Sequence, residues 1–521
     1  MKRSPDLLRL ADTVLLPGFA GTTAPDWVRR RLAGGLAGVV LFSRNVDTPA
    51  QLAALTSSLR AENPDVVIGI DEEAGEVTRL EARTGSSRPG NYALGVVDDE
   101  ELTERVARDI GHDLRRAGIT IDFAPAADVN SNPDNPVIGL RAFGAGPGLV
   151  ARHTAAWIRG LQSTGVAACA KHFPGHGDTS VDSHHGIPRV TASREELAEV
   201  ELWPFRVAIR EGVRAVMTGH LLVTAYDEER PATLSPRVLT GLLRRELGFE
   251  GLIVTDGIEM AAVSGRYGLG GASAMAVAAG ADAVCVGGEN ADEATHARIR
   301  DAIADAVTEG SLTEERLADA AARVRALAAW RAGAEPGDAE PGEIGLAAAR
   351  RALRVTLRGP AGTLPLAAAP HVVELAPETN LAIDKGMPWG AGEPLGKLLP
   401  GTTVARLRAE DVRAEDVRAE DVRAEDVRAE DGRGAHEPGG GVAAAVLRQA
   451  ADRPLVVVVR DAHRHPWQTD LLERLLAARP DGVVVEMGLP GRTDLGAVHI
   501  ATYGAARVCG QAAAEVLAGL G

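Results

Sequence analysis

Through the first 290 residues, short apolar runs rich in β-branched side chains alternate with longer stretches whose apolar positions recur at helical spacing. The runs are Thr13–Leu16, Gly38–Phe42, Val66–Ile70, Ile119–Phe123, Val166–Ala170, Ala215–Thr218, Leu252–Thr255 and Ala281–Val286. Such short runs fit strands buried on both faces, and strands alternating with helices build right-handed βα units around a parallel sheet. Eight units in about 290 residues match the size of a closed (β/α)8 TIM-type barrel. A doubly wound open α/β sheet is the other arrangement with this pattern.

The helical pattern continues through Thr313–Arg331 and then gives way to Gly333-Ala334-Glu335-Pro336-Gly337-Asp338-Ala339-Glu340-Pro341-Gly342, a Pro/Gly/acid stretch that reads as a linker. This predicts a barrel domain over 1–332, a linker over 333–345 and a smaller open α/β domain over 346–521. Strands of the second domain are expected at His371–Leu375, Thr402–Leu407, Leu455–Arg460, Val483–Met487 and Val498–Tyr503. Residues 408–431 hold five copies of Arg-Ala-Glu-Asp joined by Val412, Val417, Val422 and Val427. On a helix, valines five residues apart turn by about 140° each and make no apolar stripe. The repeat is therefore expected to be a solvated insertion rather than a docked element, with a partner-binding arm as the alternative.

A chain of 521 residues exceeds the size at which one core stops growing, which agrees with two domains. Lys+Arg 56 against Asp+Glu 72 gives a net charge of -16 with no concentrated basic patch, so a nucleic-acid partner is not expected. The three cysteines, Cys169, Cys285 and Cys509, sit in apolar or small-residue segments and do not form a disulfide framework. Arg9 and Asp12 interrupt the apolar run that a signal peptide needs, and no stretch approaches the roughly 20 apolar residues of a membrane span. The expectation is a soluble cytoplasmic protein.

Polar chemistry is concentrated in Lys171-His172-Phe173-Pro174-Gly175-His176-Gly177-Asp178-Thr179-Ser180-Val181-Asp182-Ser183-His184-His185. Pro174, Gly175 and Gly177 forbid a helix, so these groups are read as a loop at the C-terminal end of the Val166–Ala170 strand, where α/β proteins keep active sites. Asp71, Arg141, His220 and Asp256 likewise follow predicted strands, and side chains at the ends of separate barrel strands converge on one mouth. Taken singly, each reads as well as a helix cap. Asp182, two residues before His184, can hold one ring nitrogen while the other faces a substrate, the orientation of an acid/base dyad. A capped surface loop is the bland reading. A zinc site on His172, His176, His184 and His185 is the competing one, but the glycines remove helical ligand spacing and no Cys pair or His-Glu-x-x-His motif exists. No metal is expected. The glycine clusters Gly268-Leu269-Gly270-Gly271 and Gly175-His176-Gly177 lack the context of a nucleotide site.

Together these motifs resemble the β-N-acetylglucosaminidases of glycoside hydrolase family 3. The resemblance runs through Gly38-Val39-Val40-Leu41-Phe42-Ser43-Arg44-Asn45, the Asp71-Glu72-Glu73 turn, Ala124-Pro125 to Asp128-Val129-Asn130, and Asn135 to Gly144. It is strongest in Lys171 to Thr179, ending at Asp182-Ser183-His184. The resemblance implies that Asp256 is the nucleophile, that Asp182 and His184 are a mobile-loop dyad with His184 as general acid/base, and that Asp71, Arg141, Lys171 and His172 hold the sugar hydroxyls and N-acetyl group. It implies no cofactor. Two departures stand out: Ala74-Gly75-Glu76 replaces the usual Gly-Gly-Arg, and Asp122 stands where a neutral residue is common.

The activity implied is retaining removal of terminal β-linked N-acetylglucosamine from cell-wall muropeptide or chitin fragments, an amino-sugar oligosaccharide substrate. A phosphorylase on the same scaffold, a β-glucosidase of the family and an inactive sugar-binding protein are the alternatives. A histidine base would not repel a phosphate dianion, so the residues alone leave water and phosphate open as acceptors.

Overall fold

The computed structural model describes residues 3–180, 186–288, 292–332, 343–360, 362–413 and 441–520. The chain forms two compact units, one comprising Met1–Ala82, Leu94–Ile344 and Asn380–Asp384, the other Arg83–Ala93, Gly345–Thr379 and Lys385–Gly521. Each unit thus borrows a short segment from the other's stretch of sequence. Linker residues 333–342 lie outside the described residues.

In the first unit the main strands are β1 (Leu15–Pro17), β2 (Gly38–Leu41), β3 (Val67–Ile70), β4 (Ile121–Asp122), β5 (Ala167–Phe173), β6 (Ala215–Thr218), β7 (Leu252–Thr255) and β8 (Val284–Val286), and two short strands, Arg189–Val190 and Leu222–Val223, pair in parallel with each other as a separate sheet. Strands β2 to β7 form a six-stranded parallel sheet in chain order, β8 pairs in parallel with β1, and a bridge from Val254 to Ala283 joins β7 to the start of β8. This is a curled parallel sheet with helices between its strands. One face of it is a single apolar core to which all eight strands contribute: Leu16, Val40, Val67, Ile121, Phe123, Ala167, Cys169, Ala215, Met217, Leu252, Val254 and Cys285 are all buried there. Val324, Leu327 and Ala328 of the helix Glu314–Ala332 pack into the same core. Close packing explains Gly69 on β3, where an added Cβ would lie 2.7 Å from the Phe123 ring.

Strand β5 runs three residues beyond its apolar stretch, so Lys171 and His172 belong to the strand and not to the loop expected there. Its pairing with β6 shifts register between Ala170 and Phe173.

The second unit is built on a six-stranded sheet of β9 (Arg354–Leu357), β10 (His371–Leu375), β11 (Thr403–Leu407), β12 (Leu455–Val459), β13 (Val483–Glu486) and β14 (Val498–Ala501). Their order is β9-β14-β13-β12-β10-β11, parallel except for β9, which pairs antiparallel with β14 at one edge. Apolar side chains cover both faces of the central strands, which is why Leu455–Val459 reads as an unbroken apolar run. The edge strand β9 escaped the sequence reading because Arg354, Val355 and Leu357 are exposed.

Val412 corrects the expectation for the repeat. It is 5% exposed and packs with Val442, Val446 and Leu455, so the first joining valine is buried in the second unit's core while Arg408, Glu410 and Asp411 beside it stay exposed. Residues 414–431, which hold the later copies, lie outside the described residues. Among the described residues, no helix is long and apolar enough to cross a membrane.

Candidate active site

Asp71, Glu72 and Glu73 follow the last residue of β3, and the chain then reverses through Ala74 and Gly75, whose φ angles are 61° and 60°. The Glu73 N–H donates to the Val77 carbonyl at 2.9 Å and closes this turn. Glu72 points into the loop, where one oxygen accepts from Thr78 Oγ1 and from the backbone N–H of Arg79 and Leu80, each at 2.9 Å. Burial pushes its carboxyl up to about 7 despite those bonds. Glu72 therefore shapes the turn, and Asp71 and Glu73 project from it toward β5.

Lys171 on β5 receives both, with Nζ 2.7 Å from Asp71 Oδ1 and 2.7 Å from Glu73 Oε1. Arg141, in the loop after β4, grips Glu73 in a fork, Nε to Oε2 at 2.9 Å and Nη2 to Oε1 at 2.7 Å. The same Nη2 lies 3.3 Å from His172 Nε2, and His172 Nδ1 is 2.7 Å from Asp128 Oδ2. With the His172 proton on Nδ1, Asp128 accepts it and Nε2 accepts from Arg141. Asp128 Oδ1 also takes the backbone N–H of His172 at 3.1 Å and of His176 at 2.7 Å. The result is one continuous network, Asp71–Lys171–Glu73–Arg141–His172–Asp128, across the ends of β3, β4 and β5.

Its electrostatics follow from burial opposed by partners. Burial disfavours the Glu73 charge, but Arg141 and Lys171 outweigh it and hold the carboxyl far below the usual range. Burial likewise disfavours the Lys171 charge, and Asp71 and Glu73 overcome it and raise its pKa. Asp128 is buried too, yet His172 keeps it below the ordinary carboxylate value. For His176 burial, with His172 beside it, outweighs Asp128 and Asp256 and pushes its imidazole down to about 4, and Nδ1 is 2.7 Å from Thr179 Oγ1. Two of the histidines a zinc site would have used are thus engaged by Asp128 and Thr179. The Asp71 side chain is 19% exposed against 2% for Lys171 and Glu73, so the network opens to solvent at Asp71.

Asp256 follows Thr255, the last residue of β7. Thr255 is in register with Thr218 on β6, which is in register with Phe173 on β5, so Asp256 follows its strand at the same end of the sheet as Lys171 and His172. Its N–H donates to the Thr218 carbonyl at 3.2 Å, and its Oδ1 accepts the Gly257 N–H at 2.7 Å. It is near enough to act on the titration of both Cys169 and His176. His220 has a supporting place: Nε2 donates to the Gly257 carbonyl at 2.9 Å, and Nδ1 is 2.8 Å from Thr233 Oγ1. Asp182 and His184 lie outside the described residues.

Two network members and one neighbour were not singled out from the sequence. Glu73 and Asp128 lie in motifs that were noticed, but a buried carboxylate between cations has no local signature. Arg79 comes from the same turn as Asp71, with Nη2 3.9 Å from Asp71 Oδ2. Asp122 is fully buried under this turn; Oδ1 accepts the Glu72 N–H at 2.8 Å, Oδ2 has no partner among the described residues, and burial pushes its carboxyl well above the usual range.

The model of the glycosyl hydrolase family 3 N terminal domain matches residues 23–327, a span that holds the whole network and Asp256. The chain belongs to glycosyl hydrolase family 3. This family 3 chain is 34% identical over 316 residues to β-hexosaminidase A of Pseudoalteromonas piscicida, a match covering 56% of the chain and 53% of that protein. It therefore spans about half the length of that relative. It is 38% identical over 290 residues to a β-hexosaminidase of Thiobacillus denitrificans, covering 54% of the chain and 80% of that protein. Among solved structures, it resembles a glycoside hydrolase family 3 β-N-acetylglucosaminidase from Paenibacillus sp. str. FPU-7 with a TM-score of 0.81 and 34% identity, over 99% of this chain and 97% of that one.

Proposed function

We propose that this family 3 chain is a retaining exo-β-N-acetylglucosaminidase acting on terminal β-linked N-acetylglucosamine of cell-wall muropeptide or chitin fragments. The observation that carries the reading is the buried network ending at a partly exposed Asp71, with Asp256 at the same C-terminal end of the sheet two strands beyond β5. A sugar is recognised by fixed donors and acceptors around its hydroxyls, and six side chains that lock one another supply them without reorganisation. The similarity to β-hexosaminidases and to a β-N-acetylglucosaminidase points the same way.

On this reading Asp71, Lys171, His172 and Arg141 hold the sugar. An Asp256 oxygen attacks the anomeric carbon as the bond to the aglycone oxygen breaks, and protonated His184 delivers its proton to that oxygen. Neutral His184, oriented by Asp182, then takes a proton from water as the water displaces Asp256 and returns the β-configured sugar. The core shared by all eight strands supports a closed (β/α)8 barrel as the scaffold, with residues 1–332 as the catalytic domain, 333–345 as a linker and 346–521 as an accessory α/β domain. Three buried, unpaired thiols support a cytoplasmic location.

The test is turnover of a 4-nitrophenyl β-N-acetylglucosaminide with and without inorganic phosphate, with the sugar product resolved. Free N-acetylglucosamine in both supports the proposal. Sugar 1-phosphate makes the chain a phosphorylase, and no turnover by folded protein overturns it.

A further inference from the structure

Arg79 has an unusual setting for a guanidinium so close to a sugar-holding carboxylate. It is 9% exposed, its Nε is buried without a partner among the described residues, and Asp71 Oδ2 lies 3.9 Å from Nη2, beyond hydrogen-bond reach. Its neighbour Arg44 is a like charge, enough to depress the Arg44 pKa after burial has done so. Among the described residues the side chain's one close acceptor is neutral: Nη1 donates to the Ala382 carbonyl at 3.0 Å.

Ala382 belongs to Asn380–Asp384, the segment after β10 that packs as part of the first unit. Asn380 builds this segment. Its Oδ1 accepts the Ala382 N–H at 3.0 Å, its carbonyl accepts the Ile383 N–H at 3.2 Å, and its Nδ2 donates to the Pro136 carbonyl at 3.5 Å. Ile383 is 4% exposed and anchors the turn. Pro136 opens the loop whose Val137 carbonyl accepts from Arg141. One asparagine therefore ties the Arg79 loop to the Arg141 loop.

We propose that Asn380 is a positioning residue: it presents the Ala382 carbonyl that holds Arg79 against Asp71, and so sets affinity for the terminal sugar. A neutral acceptor suits this place, since a carboxylate would neutralise the guanidinium that Asp71 and an incoming hydroxyl share, whereas a carbonyl restrains it and leaves its charge. The inference rests on the reading of Asp71 as a sugar-holding group.

The experiment uses full-length protein carrying Asn380→Ala, Arg79→Ala, both together, or Asn380→Asp, with kcat and KM measured on the nitrophenyl β-N-acetylglucosaminide. Loss of one side-chain turn bond should raise KM about three- to tenfold in Asn380→Ala while kcat stays within about twofold, the signature of lost uniform binding. Asp accepts the same Ala382 N–H but cannot donate to the Pro136 carbonyl, so Asn380→Asp should recover the affinity in part and bind more tightly than Asn380→Ala. The double variant should be no worse than Arg79→Ala, because both act through one guanidinium. An unchanged KM in Asn380→Ala, or effects of the two single changes that multiply in the double variant, overturns the proposal. If the parent protein proves inactive, the functional reading fails on its own; calorimetric titration with N-acetylglucosamine then compares Kd for parent and Asn380→Ala, and an equal Kd or no binding to either overturns the positioning role.

Discussion

Glu73 is the hub of the site, and replacing it with glutamine tests whether the network is held together by charge. The carboxylate is 2% exposed and makes three close charge-assisted contacts, one from Lys171 at 2.7 Å and two from Arg141 at 2.7 and 2.9 Å. Glutamine keeps the shape, removes the charge and turns an NH2 group toward cations that can only donate. Breaking a buried pair in this way costs about 3–5 kcal/mol. Lys171 keeps Asp71, so the low end, about 3 kcal/mol, is expected for Glu73→Gln. Urea unfolding followed by the first unit's tryptophans, Trp157 among them, reads this value. The sign with pH is fixed by the depressed folded pKa: the Glu73 contribution is complete above the unfolded glutamate value of about 4.3 and is lost as pH falls through the folded one. The stability gap between parent and variant should therefore be flat from about pH 5 to 8 and narrow below about pH 4.3. Loosened Lys171 and Arg141 should also lower kcat/KM by about a hundredfold. A gap under about 1 kcal/mol at pH 7, or one that does not narrow in acid, would refute the hub argument.

Other changes probe the departures from the family pattern and the repeat. Ala74→Gly should stabilise the first unit by about 0.5–1 kcal/mol in denaturation, because a left-handed alanine costs about 1–2 kcal/mol and glycine's extra chain entropy offsets only part of that. Asp122→Asn should match the parent near pH 4 and become the more stable protein as pH rises: the parent's raised folded pKa means its contribution is present below about 3.9 and is lost as pH climbs through the folded value, whereas the amide has no such loss. Denaturation midpoints at pH 4 and pH 8 decide it. Deleting 414–431 should leave hydrolysis unchanged, while deleting 408–431 should destabilise the second unit by about 1.5–3 kcal/mol through loss of buried Val412, read from Trp389 and Trp467 fluorescence.

The strands were legible because burial on both faces writes them as apolar runs, and Gly38–Leu41, Ala215–Thr218 and Leu252–Thr255 fall where the pattern placed them. The exposed edge strand Arg354–Leu357 carries no such run and went unread. At the site, position after a strand was a sufficient signal for Asp71, Arg141, Lys171 and His172, which the fold joins in one network. It was no signal for Glu73 or Asp128, whose roles arise from charges brought together across 68 and 44 residues of chain, nor for Arg79, whose carbonyl partner Ala382 lies 303 residues away. The same holds for Asn380, which is remote in sequence from every residue it serves. Periodicity also misled at Val412, since a stripe is needed to dock a whole helix but a single valine at its start can be buried alone.

The central claim is a covalent step at Asp256, and the most direct measurement is azide rescue of Asp256→Gly on an activated nitrophenyl β-N-acetylglucosaminide. The account predicts that the variant is folded and inactive, and that azide filling the vacated carboxylate space attacks from the same face and yields the α-glycosyl azide. Retained hydrolysis by Asp256→Gly, or a β-glycosyl azide as the product, would contradict it.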